Sequence, residues 1–379
     1  MLDMPRLGSG VPLVARGREV DRLRAAFEQA DGGGSAAALL IAGDAGVGKT
    51  RLIEELAGLA RDKDALVLTG RCLDATETGL AYLPFAEALA GVGDRERAIR
   101  AHPGLATLFP ESALPVPPEP GALVTGLALP VGAGYPHAAA RPEQDVGQLQ
   151  IFDAVNGLLG DLTASRCVVL ILEDLHWADG STRRLLSFLC TRLRGQRLLI
   201  VGTYRGDDLH RRHPLRPLLA ELLRLPAVQR MELTPFGRAD ARAFVAALAE
   251  GRVPDDVLRA VAGRSDGNAF FAEELLAAYQ EGGGGIPATL VDVLLARVER
   301  LSPSTQQVIR VASVAGRHVG HARLRAVAGL ADAELEEALR EAVQHHILVP
   351  GAEEEVYGFR HALLREAVYG DLLPGERDR

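Results

Sequence analysis

The segment GDAGVGKT at residues 43–50 constrains the fold of this chain more than any other segment. It matches the pattern G-x-x-x-x-G-K-[ST], with Gly43, Gly48, Lys49 and Thr50 at the fixed positions. The apolar run AAALLIAG precedes it, and the helical pattern RLIEELAGLARD follows it. A strand that leads through a glycine-rich turn into a helix presents backbone N–H groups and a helix N-terminus to anions. The sequence therefore predicts a phosphate-binding loop in a parallel α/β fold.

The residue types of this loop predict how a nucleotide is held. Lys49 is expected to reach the β- and γ-phosphates, and the Thr50 hydroxyl to ligate Mg²⁺. Only two of the 42 basic residues are lysines, and one of them occupies this position. The expected ligand is ATP or ADP with Mg²⁺. The loop residues expected to contact it are Gly43, Asp44, Ala45, Gly46, Val47, Gly48, Lys49, Thr50 and Arg51.

An acid pair follows the apolar run VVLIL and provides the metal side of the predicted site. Ligands of open α/β sheets bind at the carboxyl ends of the strands, where Glu173 and Asp174 are expected. Glu173 is predicted to hold the Mg²⁺ shell, and Asp174 to orient or deprotonate the attacking water. Both residues are therefore candidate catalytic residues, with Lys49.

Two other groups follow strands, and their roles stay open at this point. The run RLLIVGTYR ends in Thr203 and Arg205, and Arg205 is a candidate catalytic residue that senses the γ-phosphate. The alternative is a surface arginine that closes a strand. His176 and Trp177 follow the acid pair, and packing of the turn is favoured over acid–base chemistry for them.

The order of apolar and helical patterns divides the chain into three domains. Five strands alternate with helices up to residue 235, which predicts a parallel sheet with helices on both faces. A segment rich in Pro, Gly and Ala at 103–145 is predicted to be an irregular insertion. Helices alone follow at 236–285, as a helical lid that ends in the Gly282–Gly285 linker. The order helix, helix, two short strands and helix at 286–379 fits a winged-helix domain.

Composition excludes several classes of protein. A net charge of −8 argues against a chain that mainly coats nucleic acid. The three cysteines are far apart and odd in number, so neither a disulfide framework nor a zinc site is supported. The N-terminus lacks a signal pattern, and the apolar stretch 121–140 is broken by prolines, so no membrane helix is expected. We expect a cytoplasmic protein.

Six motifs occur in an order that resembles a known family. Together they closely resemble the STAND-class AAA ATPase module of large LuxR-type ATP-binding transcriptional regulators, over residues 13–370 apart from the insertion. The motifs are LVARGREVDRL (13–23), AGDAGVGKTRL (42–52), LILEDLHWAD (170–179), IVGTYR (200–205), DGNAFFAEELL (266–276) and FRHALLREAVY (359–369).

This resemblance implies a nucleotide switch. Many relatives carry Asp first in the acid pair, so the order Glu173-Asp174 departs from the usual one, and we expect the shorter Asp174 to reach the water less well and Mg²⁺-dependent ATP hydrolysis to be slow. ADP would be bound in a closed resting state, and ATP with an inducing ligand or protein would favour an open, self-associating state. The resemblance places Val14 and Arg16 against the adenine and ribose, although Ala15 stands where the family has Gly. It places His361 on a phosphate. In the lid motif, Ala269 stands where the family has a proline that packs on the base.

Relatives of this kind carry helical repeats and a C-terminal helix-turn-helix, and the chain stops where those would begin. It is therefore either a fragment of a longer regulator or a separate ATPase module, and DNA would be bound only through a region outside it. One alternative is an ATP-driven remodelling ATPase of the AAA+ ring type, with Arg183 or Arg184 as an arginine finger. A binding module with a degenerate site is disfavoured by the intact loop. A small-molecule kinase is disfavoured because no second substrate motif is visible.

Overall fold

A five-stranded parallel sheet lies at the centre of the N-terminal unit in the computed structural model of the chain. Its strands are β1 (Ala37–Gly43), β2 (Leu66–Arg71), β3 (Val168–Glu173), β4 (Leu198–Tyr204) and β5 (Val228–Leu233). Their order is β2-β3-β4-β1-β5, and each neighbouring pair is parallel. All residues of β1, β3 and β4 are buried, as expected of strands covered on both faces. The predicted parallel α/β sheet is confirmed.

The structure describes residues 13–33, 35–73, 81–109, 142–210, 213–251, 253–280, 285–316, 318–351 and 355–377. The N-terminal helices are α1 (Gly17–Asp31), α2 (Lys49–Asp62), α3 (Leu83–Ala90), α4 (Arg95–Ala101), α5 (Pro142–Ser165), α6 (Gly180–Thr191) and α7 (Leu215–Leu222). Leu40 of β1 belongs to an apolar cluster with residues of α5 and α6, whereas Leu39 belongs to another with residues of α1 and α2. Helices therefore cover both faces of the sheet, as predicted.

The predicted irregular insertion at 103–145 begins and ends differently in the structure. Residues Pro103–Thr107 form a 3-10 helix, and Leu105 is fully buried in the core. The following helix α5 already begins at Pro142. Residues 110–141, the middle of the predicted insertion, lie outside the described residues. The Pro and Gly content of this segment led to a prediction of irregular structure throughout. The turn is nevertheless ordered, because Leu105, Leu108 and Phe109 bury enough apolar surface to fix it.

The C-terminal part consists of helices and one small antiparallel sheet. Its helices are α8 (Arg238–Ala249), α9 (Asp255–Arg264), α10 (Ala269–Gln280), α11 (Ala288–Glu299), α12 (Pro303–Ala315), α13 (His321–Val327), α14 (Asp332–Gln344), α15 (Ala362–Asp371) and α16 (Pro374–Arg377). Its strands β6 (His318–Gly320), β7 (Leu348–Pro350) and β8 (Val356–Phe359) pair in the order β6-β8-β7. Strand β6 was not predicted, since three residues are too few to give a periodicity. The predicted linker 282–285 is described only at Gly285.

One apolar cluster joins α8–α10 to the helices that follow them. Phe244 and Leu276 belong to this cluster together with Leu294, Val308 and Leu364. Helix α12 begins at Pro303, and the Ser302 side chain caps it by accepting a hydrogen bond from the Thr305 N–H. We call residues 285–377 the C-terminal unit.

Two predicted exclusions concern cysteines and the membrane. Cys72, Cys167 and Cys190 are each buried and free of disulfides. Within the described ranges, no helix has both the length and the apolar content that crossing a bilayer requires.

Candidate functional site

The phosphate-binding loop connects β1 to α2, and three of its glycines are required by the backbone. Gly46 and Gly48 have φ of +75° and +102°, which residues with a Cβ rarely adopt. A Cβ on Gly43 would lie 2.8 Å from the Leu233 carbonyl oxygen of β5. The loop ends at the N-terminus of α2, which begins at Lys49, so the helix dipole favours an anion here.

Lys49 is buried against its own loop. Its Nζ donates to the carbonyl oxygens of Gly43 and Asp44, at 2.8 and 2.9 Å. Burial lowers the pKa of Lys49, and the nearby Asp207 carboxylate opposes this effect. Among the described residues, no carboxylate lies within ion-pair distance of this ammonium. A buried cation held by carbonyl oxygens alone is suited to an anionic ligand such as a phosphate.

Thr50 at the start of α2 and Glu173 at the end of β3 lie close together, although β4 separates β3 from β1, the strand that precedes α2. The Thr50 hydroxyl donates to a carboxylate oxygen of Glu173 at 3.4 Å. Hydroxyl and carboxylate oxygens are ligands that Mg²⁺ prefers in nucleotide sites. The donor set therefore fits the metal predicted for these two residues.

An arginine at the end of the neighbouring strand β2 lies close to both acids of the pair Glu173–Asp174. Arg71, the last residue of β2, has its Nη2 3.5 Å from Glu173 and its Nε 3.9 Å from Asp174. The guanidinium is half-exposed, so the pairs are solvent-screened and weak. Sequence analysis missed Arg71, although its place at a strand end is the same signal that identified the acids.

Asp174 has an unusual backbone conformation. Its φ of +58° lies in the left-handed region, and its N–H donates to the Thr203 hydroxyl of β4 at 3.0 Å. Thr203 is buried, so this hydrogen bond fixes the turn after β3 against the neighbouring strand. The side chain of Asp174 lies at the carboxyl edge of the sheet beside Glu173, where a water-orienting acid was predicted.

The segment after β4 brings Arg205 to the same edge. Its guanidinium lies 3.7 Å from the Asp208 carboxylate, and its charge lowers the pKa of Lys49. The preceding acid, Asp207, is buried and pairs with Arg297 of α11 at 2.9 Å. Sequence analysis missed both aspartates, although they directly follow the strand in RGDD.

The start of α10 contacts the phosphate-binding loop directly. Asn268 donates through Nδ2 to the Ala45 carbonyl at 2.8 Å, and the Phe270 N–H donates to the Gly46 carbonyl at 3.1 Å. The Asn268 Oδ1 accepts from the Phe271 N–H at 3.3 Å, which caps α10. The lid is thus hydrogen-bonded to the loop main chain. The motif DGNAFFAEELL contains this residue, but Asn268 was not predicted to contact the loop.

Arg16, predicted to contact the base or ribose, is buried and joins two segments. Its Nη2 donates to the carbonyl oxygens of Val47 at 3.3 Å and Thr234 at 2.7 Å, and its guanidinium lies 4.3 Å from the Phe236 ring centroid. Val14 packs against the apolar cluster of the C-terminal half. Arg16 thus joins the loop to the segment after β5, and the contact of Val14 and Arg16 with adenine or ribose stays a prediction.

Three arginines of the C-terminal unit contact residues that follow three strands of the parallel sheet. Arg360 donates to Asp44 of the loop at 2.6 and 3.2 Å. Arg297 pairs with Asp207 after β4, and Arg300 lies 5.6 Å from the Trp177 ring centroid after β3. We call these the three arginine contacts. Sequence analysis missed all three arginines, since their partners are distant in the chain.

His361 was predicted to contact phosphate, and it lies next to Arg360 at the start of α15. It is buried, and its ring packs edge-on against Phe271 at 5.5 Å. Its Nδ1 makes no hydrogen bond within the described part of the chain. Burial lowers the pKa of His361, with Arg297 and Arg360 acting in the same direction. Its contact with phosphate stays a prediction.

The two arginines considered as fingers are engaged within the chain. Arg183 donates to the Ala178 carbonyl, and Arg184 donates to the Ser181 hydroxyl at 3.3 Å.

Comparison with known proteins identifies a family and several similar proteins. The family model described as AAA ATPase domain matches residues 12–201. An uncharacterized protein of Rhizobium meliloti (strain 1021) is 26% identical over 97% of this chain, and the chain spans 36% of that relative's length. The Walker-type ATPase paby2304 of Pyrococcus abyssi is 14% identical, with a TM-score of 0.58 over 94% of this chain and 96% of that one.

A signal transduction ATPase with numerous domains (STAND) from Pyrococcus horikoshii, which has a tetratricopeptide repeat sensor, is 14% identical. It has a TM-score of 0.40 over 98% of this chain and 45% of that one.

Proposed function

The chain belongs to the AAA ATPase domain family, and on that premise we propose that it is a signalling switch that binds ATP or ADP and hydrolyses ATP slowly with Mg²⁺. The observation that carries the proposal is the Arg360–Asp44 ion pair, which connects the C-terminal unit to the phosphate-binding loop. Any ligand that alters the charge around Asp44 alters this contact. The nucleotide site and the C-terminal unit are thereby coupled in the sense that a switch needs.

The residues of the site have distinct proposed roles. Lys49 leaves its two carbonyl partners to bind the β- and γ-phosphates, and Thr50 and Glu173 hold Mg²⁺. The metal, when bound, neutralises charge on the phosphates. Asp174 orients the attacking water, and Arg205 contacts the γ-phosphate. Hydrolysis is slow because the shorter Asp174 stands second in the acid pair and reaches the attacking water less well.

The remaining predicted contacts are with the base, the ribose and the phosphates. Val14 and Arg16 lie against the adenine and ribose, and His361 lies towards the phosphates beside Arg360. The closed, ADP-bound state is the one in which the three arginine contacts are made. ATP with an inducing ligand or protein favours their release and self-association of the chain.

The C-terminal unit is proposed to be a winged helix that acts as the regulatory clamp. The three-stranded antiparallel sheet with helices α12–α15 around it supports this proposal. The chain is proposed to be the ATPase module of a LuxR-type transcriptional regulator in the cytoplasm. DNA would then be bound by a region outside these residues, in keeping with the net charge of −8.

The nucleotide that co-purifies with the protein tests the first part of the proposal. We expect mass spectrometry of the denatured protein to find ADP, and Mg²⁺-dependent phosphate release from ATP to be slow. Neither bound nucleotide nor measurable ATP affinity would overturn the proposed function.

Limited proteolysis tests the coupling. Trypsin is expected to cleave near Arg360 faster in the ATP-loaded protein than in the ADP-loaded protein, because release exposes this arginine. Equal cleavage rates in both states would contradict the proposed switch and would leave only the proposed ATPase activity.

A further inference from the structure

The turn after the acid pair is held tightly against β4. Residues Leu175–Trp177 form a 3-10 helix with Asp174 as its N-cap. A Cβ on Gly202 of β4 would lie 2.5 Å from Leu175 Cδ1, so the turn approaches that strand as closely as a glycine allows. His176 is the middle residue of this turn, and its side chain is 1% exposed.

Both ring nitrogens of His176 are directed at Arg205 or at its partner. Nδ1 accepts a hydrogen bond from the Arg205 N–H at 3.4 Å. Nε2 lies 3.5 Å from the same Asp208 oxygen that is 3.7 Å from the Arg205 guanidinium. Neither Nε2 nor this oxygen meets hydrogen-bond geometry with any group in the described ranges. The imidazole therefore contacts the main chain of Arg205 on one side and its carboxylate partner on the other.

His176 is neutral in this environment. Burial lowers its pKa to about 3, and the charges of Arg205 and Lys49 act in the same direction. Because Nδ1 accepts the Arg205 N–H, the single ring proton lies on Nε2, facing Asp208. A neutral imidazole that keeps its proton across the physiological range is suited to holding other groups in place.

We propose that His176 is a positioning residue of the ATPase site, which fixes Arg205 relative to the acid pair Glu173–Asp174. This proposal rests on the proposed function. The acid pair and His176 belong to one short turn, so holding Arg205 from this turn sets the distance between the water-orienting acid and the phosphate-contacting arginine. The Arg205 side chain is 36% exposed and has Asp208 as its carboxylate partner, so it depends on the two contacts that His176 provides.

The test compares His176→Phe, which keeps the ring and removes both polar contacts, with Arg205→Ala and the double variant. We expect His176→Phe to lower kcat about 10-fold while KM for ATP and Kd for ADP change less than about 3-fold. The double variant is expected to be no slower than Arg205→Ala alone, because both changes remove one function. His102→Phe, at a histidine that pairs with Asp161 away from the site, is the matched control and keeps its kcat.

Two further variants each keep one of the two His176 contacts, and they take the place of His176→Phe if that variant does not fold. His176→Asn keeps an acceptor at the position of Nδ1, and His176→Gln keeps a donor at the position of Nε2. Each is expected to retain part of the activity, and combination with Arg205→Ala again adds no further loss.

The failure of this proposal differs from failure of the proposed function. If the wild-type protein neither binds nor hydrolyses ATP, the function itself is wrong. If the wild type hydrolyses ATP and Arg205→Ala slows it, while His176→Phe keeps full kcat or its effect adds fully to that of Arg205→Ala, the positioning role is overturned. A large rise in KM with unchanged kcat would also overturn it.

Discussion

Arg360 donates two hydrogen bonds to Asp44, a residue 316 positions earlier in the phosphate-binding loop, and thereby fastens the C-terminal unit to the nucleotide site. The Asp44 carboxylate is 11% exposed and the Arg360 side chain is 30% exposed. Pairs of this partly buried, charge-assisted kind are stronger than surface ion pairs. Mutation of this pair therefore tests directly whether the phosphate-binding loop and the C-terminal unit are coupled.

Replacement of Arg360 by Ala is expected to loosen the C-terminal unit. Loss of one partly buried charge-assisted pair costs about 1–2 kcal/mol, so the open population rises about 10-fold. Hydrogen exchange of α15 measures this change. Arg340→Ala, which removes an exposed pair with Glu337 on α14, serves as control and leaves exchange unchanged. Equal exchange in both variants would show that the Asp44 contact does not hold the unit.

Replacement of Lys49 by Ala is expected to abolish nucleotide binding. The buried ammonium is the principal cation of the loop, and its loss weakens ATP affinity by about 100-fold or more. Fluorescent ATP titration measures the affinity. Lys63→Ala, the other lysine, keeps wild-type affinity. Tight ATP binding by the Lys49 variant would contradict the assignment of the loop.

Replacement of Asp174 by Asn is expected to separate binding from hydrolysis. The amide keeps the shape of the side chain but loses the charge that orients and deprotonates water, so kcat falls about 100-fold at similar ATP affinity. Phosphate release under single-turnover conditions gives the rate. An unchanged rate would transfer the role of water activation to Glu173.

Acidification is expected to release the C-terminal unit. Burial lowers the pKa of His345, His346 and His361, with His210 adding to the effect at His345 and Arg360 adding to it at the other two. We expect release to return these pKa values towards that of an ordinary histidine, so that the released state binds more protons than the docked state as the pH falls below about 6.5. Docking is therefore fully stable above that pH and is lost below it.

The distance between fluorophores on the two halves of the chain, followed from pH 7.5 to 5.5, measures this release. The triple variant with Gln at these three positions should lose most of the pH dependence. A wild-type distance that does not respond to pH would contradict the prediction.

Replacement of Gly46 by Ala is expected to displace the lid. A Cβ there would lie 2.6 Å from Asn268 Oδ1 and 2.7 Å from Phe270 Cβ, and φ of +75° disfavours any Cβ. We expect a lower melting temperature and weaker nucleotide binding. Gly58→Ala, in the open middle of α2, is the control and is neutral or stabilising. Thermal unfolding with and without ADP compares the two variants.

Local patterns predicted the nucleotide-binding sheet and the loop well. Apolar runs identify buried parallel strands, and the loop motif depends on eight consecutive residues, so both are encoded over short distances. The order of strands was not predictable, because the pairing of β1 with β4 and β5 depends on contacts far apart in the chain. For the same reason the partners of Asp44 and Asp207 were missed: Arg360 and Arg297 lie in no motif that names them. The family resemblance predicted a phosphate contact for His361, whereas the residue that contacts the loop in the structure is its neighbour Arg360.

The three arginine contacts have a consequence for how such a unit responds. Arg360, Arg300 and Arg297 contact the loop after β1, the turn after β3 and the segment after β4. Free energies of separate contacts made by one body add, so their contributions to the docking equilibrium constant multiply. A disturbance at one strand end removes one factor, whereas a ligand that spans all three ends removes three together. The docking equilibrium of the C-terminal unit therefore depends on the state of all three strand ends together, and a ligand that reaches all three shifts it further than a ligand that reaches one.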